Sequence, residues 1–147
     1  MDPVDHVDLG ALVRAAGDAI VVADPEGSIR YWNPAAERIF GFAAAEALGQ
    51  SLDLIIPERF RARHWVGYRE VMRTGETRYG TQVLRVPAVR KDGQRLSIAF
   101  TVALLTGPDG RVTGIAAIVR DETARWDEEQ ALRRRLAELE KARGPAA

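Results

Sequence analysis

The residues that could do chemistry are few. The chain has no cysteine and two histidines, His6 and His64. It therefore offers no thiolate nucleophile, iron–sulfur ligand set, cysteine-bound zinc or disulfide. An imidazole-based site must use His6 or His64. His6 falls in a terminal stretch and reads as inert or an adventitious metal contact. His64 shares a helical stripe with Phe60, Gly67 and Val71, at spacings of 4, 3 and 4. Trp65, Tyr68 and Met72 form a second apolar stripe beside it. The carboxylates Asp127, Glu128 and Glu129 sit on a charge-dense helical stretch, where nothing excludes water or shifts their pKa values. There is no Ser/His/Asp order and no phosphate-cradling glycine motif. No catalytic residue is expected, and any chemistry is expected to come from a non-covalent ligand.

The elements that must position His64 are read from turn and cap signals. Asp24-Pro25-Glu26-Gly27, Lys91-Asp92-Gly93 and Gly107-Pro108-Asp109-Gly110 each separate apolar runs, which predicts hairpins. Strands are expected over 19–22, 28–32, 80–86, 96–104 and 111–120. Leu96, Ile98, Phe100, Val102 and Leu104 fall on one face. Between the second and third strands the chain reads as helical. Asn33 caps a helix with Pro34 in its first turn, and Gly41 closes it. A short helical turn follows over 43–48. A longer helix starts at Pro57 and closes at Gly75. A short amphipathic helix is expected over 7–16 and a charged one over 123–143. On the latter, Leu132, Leu136 and Leu139 form a seam of about one and a half heptads, and Glu129 is spaced to pair with Arg133. Arg120 and Asp24 are a candidate ion pair.

The 147 residues carry 21 Lys+Arg against 21 Asp+Glu. Zero net charge gives no electrostatic case for nucleic acid or an anionic membrane surface as partner. The Arg133-Arg134-Arg135 run reads as a solvated helix face. No apolar run approaches a membrane span, and the first ten residues lack a signal-peptide core. A cytoplasmic location is expected.

The order β-β-α-α-α-β-β-β, followed by a helix, resembles a PAS domain. The likeness is carried by DAIVVADPEGSIRYWNPAAERIFGF (18–42), RKDGQRLSIAFTVA (90–103) and IVRDETARWDEE (118–129). It implies an α+β fold: a five-stranded antiparallel sheet with helices on one face, plus N-terminal and C-terminal flanking helices. The expected divisions are a flanking helix over 1–17, a core over 18–121, a signalling helix over 122–143 and a tail over 144–147. Asp121 and Thr123 match the strand-end motif that leads into the signalling helix, so they are the expected relay point. The fold does not fix the ligand.

The segment LIIPERFRARHWVGYREVMRTGE (54–76) resembles haem-binding PAS domains of oxygen-sensing kinases and phosphodiesterases, whose long helix supplies the iron ligand. The resemblance implies b-type haem, sensing a diatomic gas or redox state, with His64 as the metal ligand. Phe60 and Gly67 would flank the macrocycle on the helix. Leu84, Phe100, Val102, Ile115 and Val119 would form the opposing wall, and Arg78 would meet a propionate. The sequence departs from those relatives: Leu84 stands where the kinases carry a gas-facing arginine, and Gln82 where the phosphodiesterases carry a methionine ligand. Tyr68 follows His64 by four residues instead of three, and Glu70 replaces a propionate-binding arginine. Gln82 is a candidate hydrogen-bond donor to bound gas. Without cysteine no covalent chromophore attaches, and non-covalent flavin ranks last. The alternative is a cofactor-free or metabolite-binding dimerisation module. A homodimer through the terminal helices is expected, with the downstream effector unassigned.

Overall fold

The computed structural model describes residues 6–77 and 80–144. The elements run α1 (Leu9–Ala15), β1 (Ala19–Ala23), β2 (Ile29–Trp32), α2 (Pro34–Phe40), α3 (Ala44–Ala47), a 3-10 turn (Leu52–Ile55), α4 (Glu58–Thr74), β3 (Leu84–Val89), β4 (Arg95–Thr106), β5 (Val112–Asp121) and α5 (Thr123–Arg143). The strands form one antiparallel sheet in the order β2-β1-β5-β4-β3.

Strand register sorts the side chains. Leu84 pairs with Phe100 and Phe100 with Val119, while Val102 pairs with Ala117 and Leu104 with Ile115. Cross-strand partners share a face, so all of these lie on one side of the sheet. The same side holds Ala19, Val21, Leu96 and Ile98, which pack with Trp32 and with Ala36, Phe40 and Ala47 of α2 and α3 into the main core. Apolar alternation with period two places this face, and burial of the helices' apolar sides fixes them there.

The caps act as the residue types dictate. The Asn33 side chain accepts from Ala36 N–H at 3.0 Å and so starts α2. Gly41 and Gly75 end α2 and α4 in the left-handed region, at φ 81° and 70°. The third strand departs from expectation: it begins at Leu84, not at residue 80, and runs through Pro87 to Val89. β3 is an edge strand, and an edge tolerates a residue without an N–H. The 3-10 turn was not anticipated.

Two expected ion pairs are redistributed. Arg120 pairs with Asp18 at 3.0 Å, not with Asp24, which is held by Arg30 at 2.7 Å. Glu129 faces Arg125 at 3.4 Å instead of Arg133.

Gly27 sits in the β1–β2 turn at φ +87°, and a Cβ there would lie 2.2 Å from the Trp65 ring. Gly27→Ala is expected to cost about 2 kcal/mol, from the disfavoured backbone region and displacement of the indole. Urea denaturation would measure it. Trp65→Ala in the same chain should recover the steric part but not the backbone part.

Candidate functional site

α4 spans Glu58–Thr74 and carries His64 near its middle. At its start the Phe60 ring lies under Arg59 and Arg95, with guanidinium carbons 4.7 and 6.0 Å from the ring centre. At its end Gly75 approaches Val112. The helix is fixed by its flank toward the β1–β2 turn. Trp65 Nε1–H donates to Asp53 Oδ1 at 2.7 Å, and the Tyr68 hydroxyl donates to the Asp24 carbonyl at 2.5 Å. Burial pushes the Tyr68 phenol up, and the nearby Asp24 and Glu26 carboxylates add to this.

Held by that flank, α4 packs less closely on the strands than α2 does. The consequence shows in the sheet. Leu84, Phe100, Val102 and Ile115 face the helices and are only half-buried, whereas Val119 is 3% exposed. The helices thus leave this apolar stretch of the sheet incompletely covered.

His64 is on the inward side of α4, with Phe60, Tyr68 and Val71, while Val66 on the opposite side is 64% exposed. Its ring meets Trp65 edge-on at 4.6 Å and lies 5.6 Å from Tyr68. Its Nδ1 is buried and has no hydrogen-bond partner. A buried polar atom without a partner costs about 1–3 kcal/mol, so its retention calls for an explanation. Burial lowers the pKa of His64, with the Asp53 charge opposing. The imidazole is therefore neutral near pH 7, the form that donates a lone pair to a metal.

That depressed pKa carries a pH signature. As pH falls below the ordinary value of 6.5, the unfolded chain binds a proton at His64 that the folded chain still refuses. Stability should fall with decreasing pH from about 6.5 down to the lowered folded value, and be flat above it. His64→Gln should remove this slope, read as the change in urea midpoint between pH 7.5 and 5.5 for the two chains.

The other predicted site residues are placed as follows. Gly67 is exposed, and a Cβ there would meet nothing within 4 Å, so the stripe through His64 turns inward by way of Tyr68 instead. Gln82 is exposed and precedes β3, apart from the wall that Leu84 and Phe100 share. Arg78 lies outside the described residues. Among the described residues no group of three or more ligating side chains gathers, so a metal here would have to bring most of its own donors. Haem does, needing one strong axial donor from the protein. Sequence reasoning missed Asp53, and it read Asp24 and Gly27 as a turn without their contacts to Tyr68 and Trp65 of α4. Their contacts with it are non-local and leave no periodic signal.

At the far end of the sheet, β5 passes into α5 through a fastened hinge. Asp121 Oδ1 accepts from Thr123 N–H at 2.9 Å and from the Thr123 hydroxyl at 2.5 Å. Ser97 N–H of β4 donates to Thr123 Oγ1 at 3.1 Å, and Glu122 N–H donates to the Ser97 carbonyl at 2.8 Å. The hinge borders an open groove of about 560 Å³ that also touches Phe60, Val86 and Trp126. One turn of α4 thus separates His64 from the hinge groove.

The sequence profile of the PAS fold matches residues 8–121. An uncharacterised protein of Azorhizobium caulinodans is 33% identical over 125 residues, covering 84% of this chain and 17% of that protein. Sensor protein FixL of Bradyrhizobium diazoefficiens is 32% identical over 134 residues, covering 90% of this chain and 25% of FixL. Oxygen sensor protein DosP of Escherichia coli is 25% identical over 113 residues, covering 77% and 14%. The chain therefore spans a quarter or less of these relatives. Among solved structures, a PAS domain from Colwellia psychrerythraea superposes with a TM-score of 0.69 at 22% identity, covering 79% of this chain and 95% of that one. An RNA-binding light-oxygen-voltage receptor superposes with a TM-score of 0.69 at 27% identity, covering 88% and 36%. No helix among the described residues is long and apolar enough to cross a membrane.

Proposed function

This chain belongs to the PAS family, and from that premise we propose that it is a sensory and signal-relay domain whose ligand is b-type haem, held by His64. The observation that carries the reading is the buried, unpartnered Nδ1 of His64, whose lowered pKa keeps the ring neutral, on the inward side of α4. The half-buried wall of Leu84, Phe100, Val102 and Ile115 supports it. So does similarity to relatives named as a sensor and an oxygen sensor.

In this reading His64 would hold the iron, and the wall of Leu84, Phe100, Val102 and Ile115 would exclude water from the bound group. Bound haem would supply a metal centre able to take up a diatomic gas or change oxidation state. Leu84, as part of that wall, would keep the surroundings apolar. A change at His64 would pass along α4 to Phe60 and the groove beside Thr123. The Asp121–Thr123–Ser97 hydrogen bonds would convert it into a change in α5. Such coupling needs two states with different contacts at both sites.

The test is titration of the purified chain with haem, followed by visible absorption. A Soret band saturating at one haem per chain is expected. A chain that stays colourless under excess haem overturns the reading and leaves a metabolite-binding or cofactor-free module. Saturable binding of flavin instead would align it with the light-oxygen-voltage neighbour.

A further inference from the structure

β3 is an edge of the sheet, and the direction of its free backbone groups follows from β4. Ser97 turns both of its backbone groups toward the hinge, its N–H to Thr123 Oγ1 and its carbonyl to Glu122 N–H. Ser97 pairs with Pro87. Backbone groups in an antiparallel ladder alternate sides, so Pro87 faces away from β4, and Arg85 and Val89 do the same. Pro87 thus lacks an N–H where no strand of this sheet needs one. The edge still offers the N–H and C=O of Arg85 and Val89 and the C=O of Pro87. Two adjoining hollows follow this edge. One, of about 560 Å³, touches Arg85, Val86 and Pro87, and the other, of about 570 Å³, touches Val89 and Gly93. Arg59 and Arg95 line both. Their guanidinium groups lie against the Phe60 ring, and among the described residues neither makes an ion pair. The other arginines of the track are taken, Arg85 by Glu122 and Arg125 by Glu122 and Glu129. Glu58 lines only one hollow and Asp127 only the other, so the middle that both share is cationic.

We propose that this track docks an extended acidic segment of a partner protein, added to the sheet alongside β3. The backbone of the segment pairs with Arg85 and Val89, a carboxylate meets Arg59 and Arg95, and an apolar neighbour rests on Phe60 and Trp126. A second copy of this chain fits the edge worse. Two β3 strands meeting antiparallel about Pro87 would set proline against proline and bring the unpaired arginines of both copies together. The track ends on Thr123 and Trp126, so its occupant bears on the root of α5. The proposal does not rest on haem, and a colourless chain would still show it.

The test is selection against the purified full chain from a random dodecapeptide library displayed on phage. The enriched peptides are expected to carry Asp or Glu among β-branched residues and to bind saturably as free, capped peptides. On the parent chain, bound peptide should slow amide hydrogen exchange at Arg85 and Val89. Arg59→Glu and Arg95→Glu, both at exposed positions, should each raise the dissociation constant about tenfold at low salt while the circular dichroism matches the parent. Replacing the acid of the peptide by lysine should recover part of that loss in the variant chains. Enrichment of no peptide, binding indifferent to both charge reversals, or protection of amides elsewhere in the sheet would overturn the proposal. So would a chain that dimerises through β3 and thereby excludes the peptide.

Discussion

A His64→Ala chain mixed with haem should show no Soret band, while its cofactor-free form stays folded with a thermal midpoint within a few degrees of the parent. The two halves of this expectation have separate causes. Loss of a single axial donor removes the only protein–iron bond, and should weaken haem by more than the ~10–100-fold that follows loss of an outer hydrogen-bond partner. The fold loses little, because the removed ring is half-buried and its buried Nδ1 makes no hydrogen bond. Deleting a side chain that leaves one polar atom unsatisfied even relieves part of its own cost. Added imidazole should refill the space and restore the band. Tyr68→Phe is the control on the same face: it breaks the bond to the Asp24 carbonyl and should lower stability by about 1 kcal/mol without removing haem. A His64→Ala chain that keeps a full Soret band would place the haem elsewhere and defeat the assignment.

Much of this architecture is legible in the sequence, because its signals are local. Asn33-Pro34, Gly41, Pro57 and Gly75 mark the ends of α2 and α4 through backbone chemistry that any reader of caps can apply. The alternation in β4 sorts Leu96, Ile98 and Phe100 onto one face before any partner strand is known. What failed was non-local. The third strand is expected over 80–86, and it runs instead from Leu84 through Pro87 to Val89, which its edge position in the sheet permits. Helical spacing alone could not tell which flank of His64 turns inward. Gly67 and Tyr68 lie on opposite sides of it, and the choice is made by the Asp24 carbonyl, 44 residues away from Tyr68. The ion-pair partner of Arg120 likewise depended on where β1 begins, which brings Asp18 and not Asp24 within reach.

Asn33→Ala should cost about 3 kcal/mol and lower the thermal midpoint by about 10 °C. Asn33 is fully buried, and its amide makes four hydrogen bonds. Oδ1 accepts from Ile20 N–H at 2.9 Å and Ala36 N–H at 3.0 Å, and Nδ2 donates to the carbonyls of Val13 at 3.0 Å and Asp18 at 3.1 Å. The partners fix the orientation, because a flipped amide would set donor against donor and acceptor against acceptor. Alanine removes the cap of α2, worth about 1 kcal/mol. It also strands Ile20 N–H inside the sheet's first strand and releases the carbonyls that tie the exit of α1 to the core. Asn33→Asp separates these effects. It keeps both accepted bonds, and hence the cap, but turns a carboxylate toward two carbonyl oxygens in a buried site. It should be at least as destabilising as alanine at pH 7 and recover in part as the acid protonates near pH 5. Chemical denaturation of the three chains at both pH values gives the comparison. If Asn33→Ala cost less than about 1 kcal/mol, the residue would be a dispensable cap. The attachment of α1 to the sheet would then have to come from side-chain packing, which the exposure of Leu9 and Leu12, 51% and 58%, does not provide.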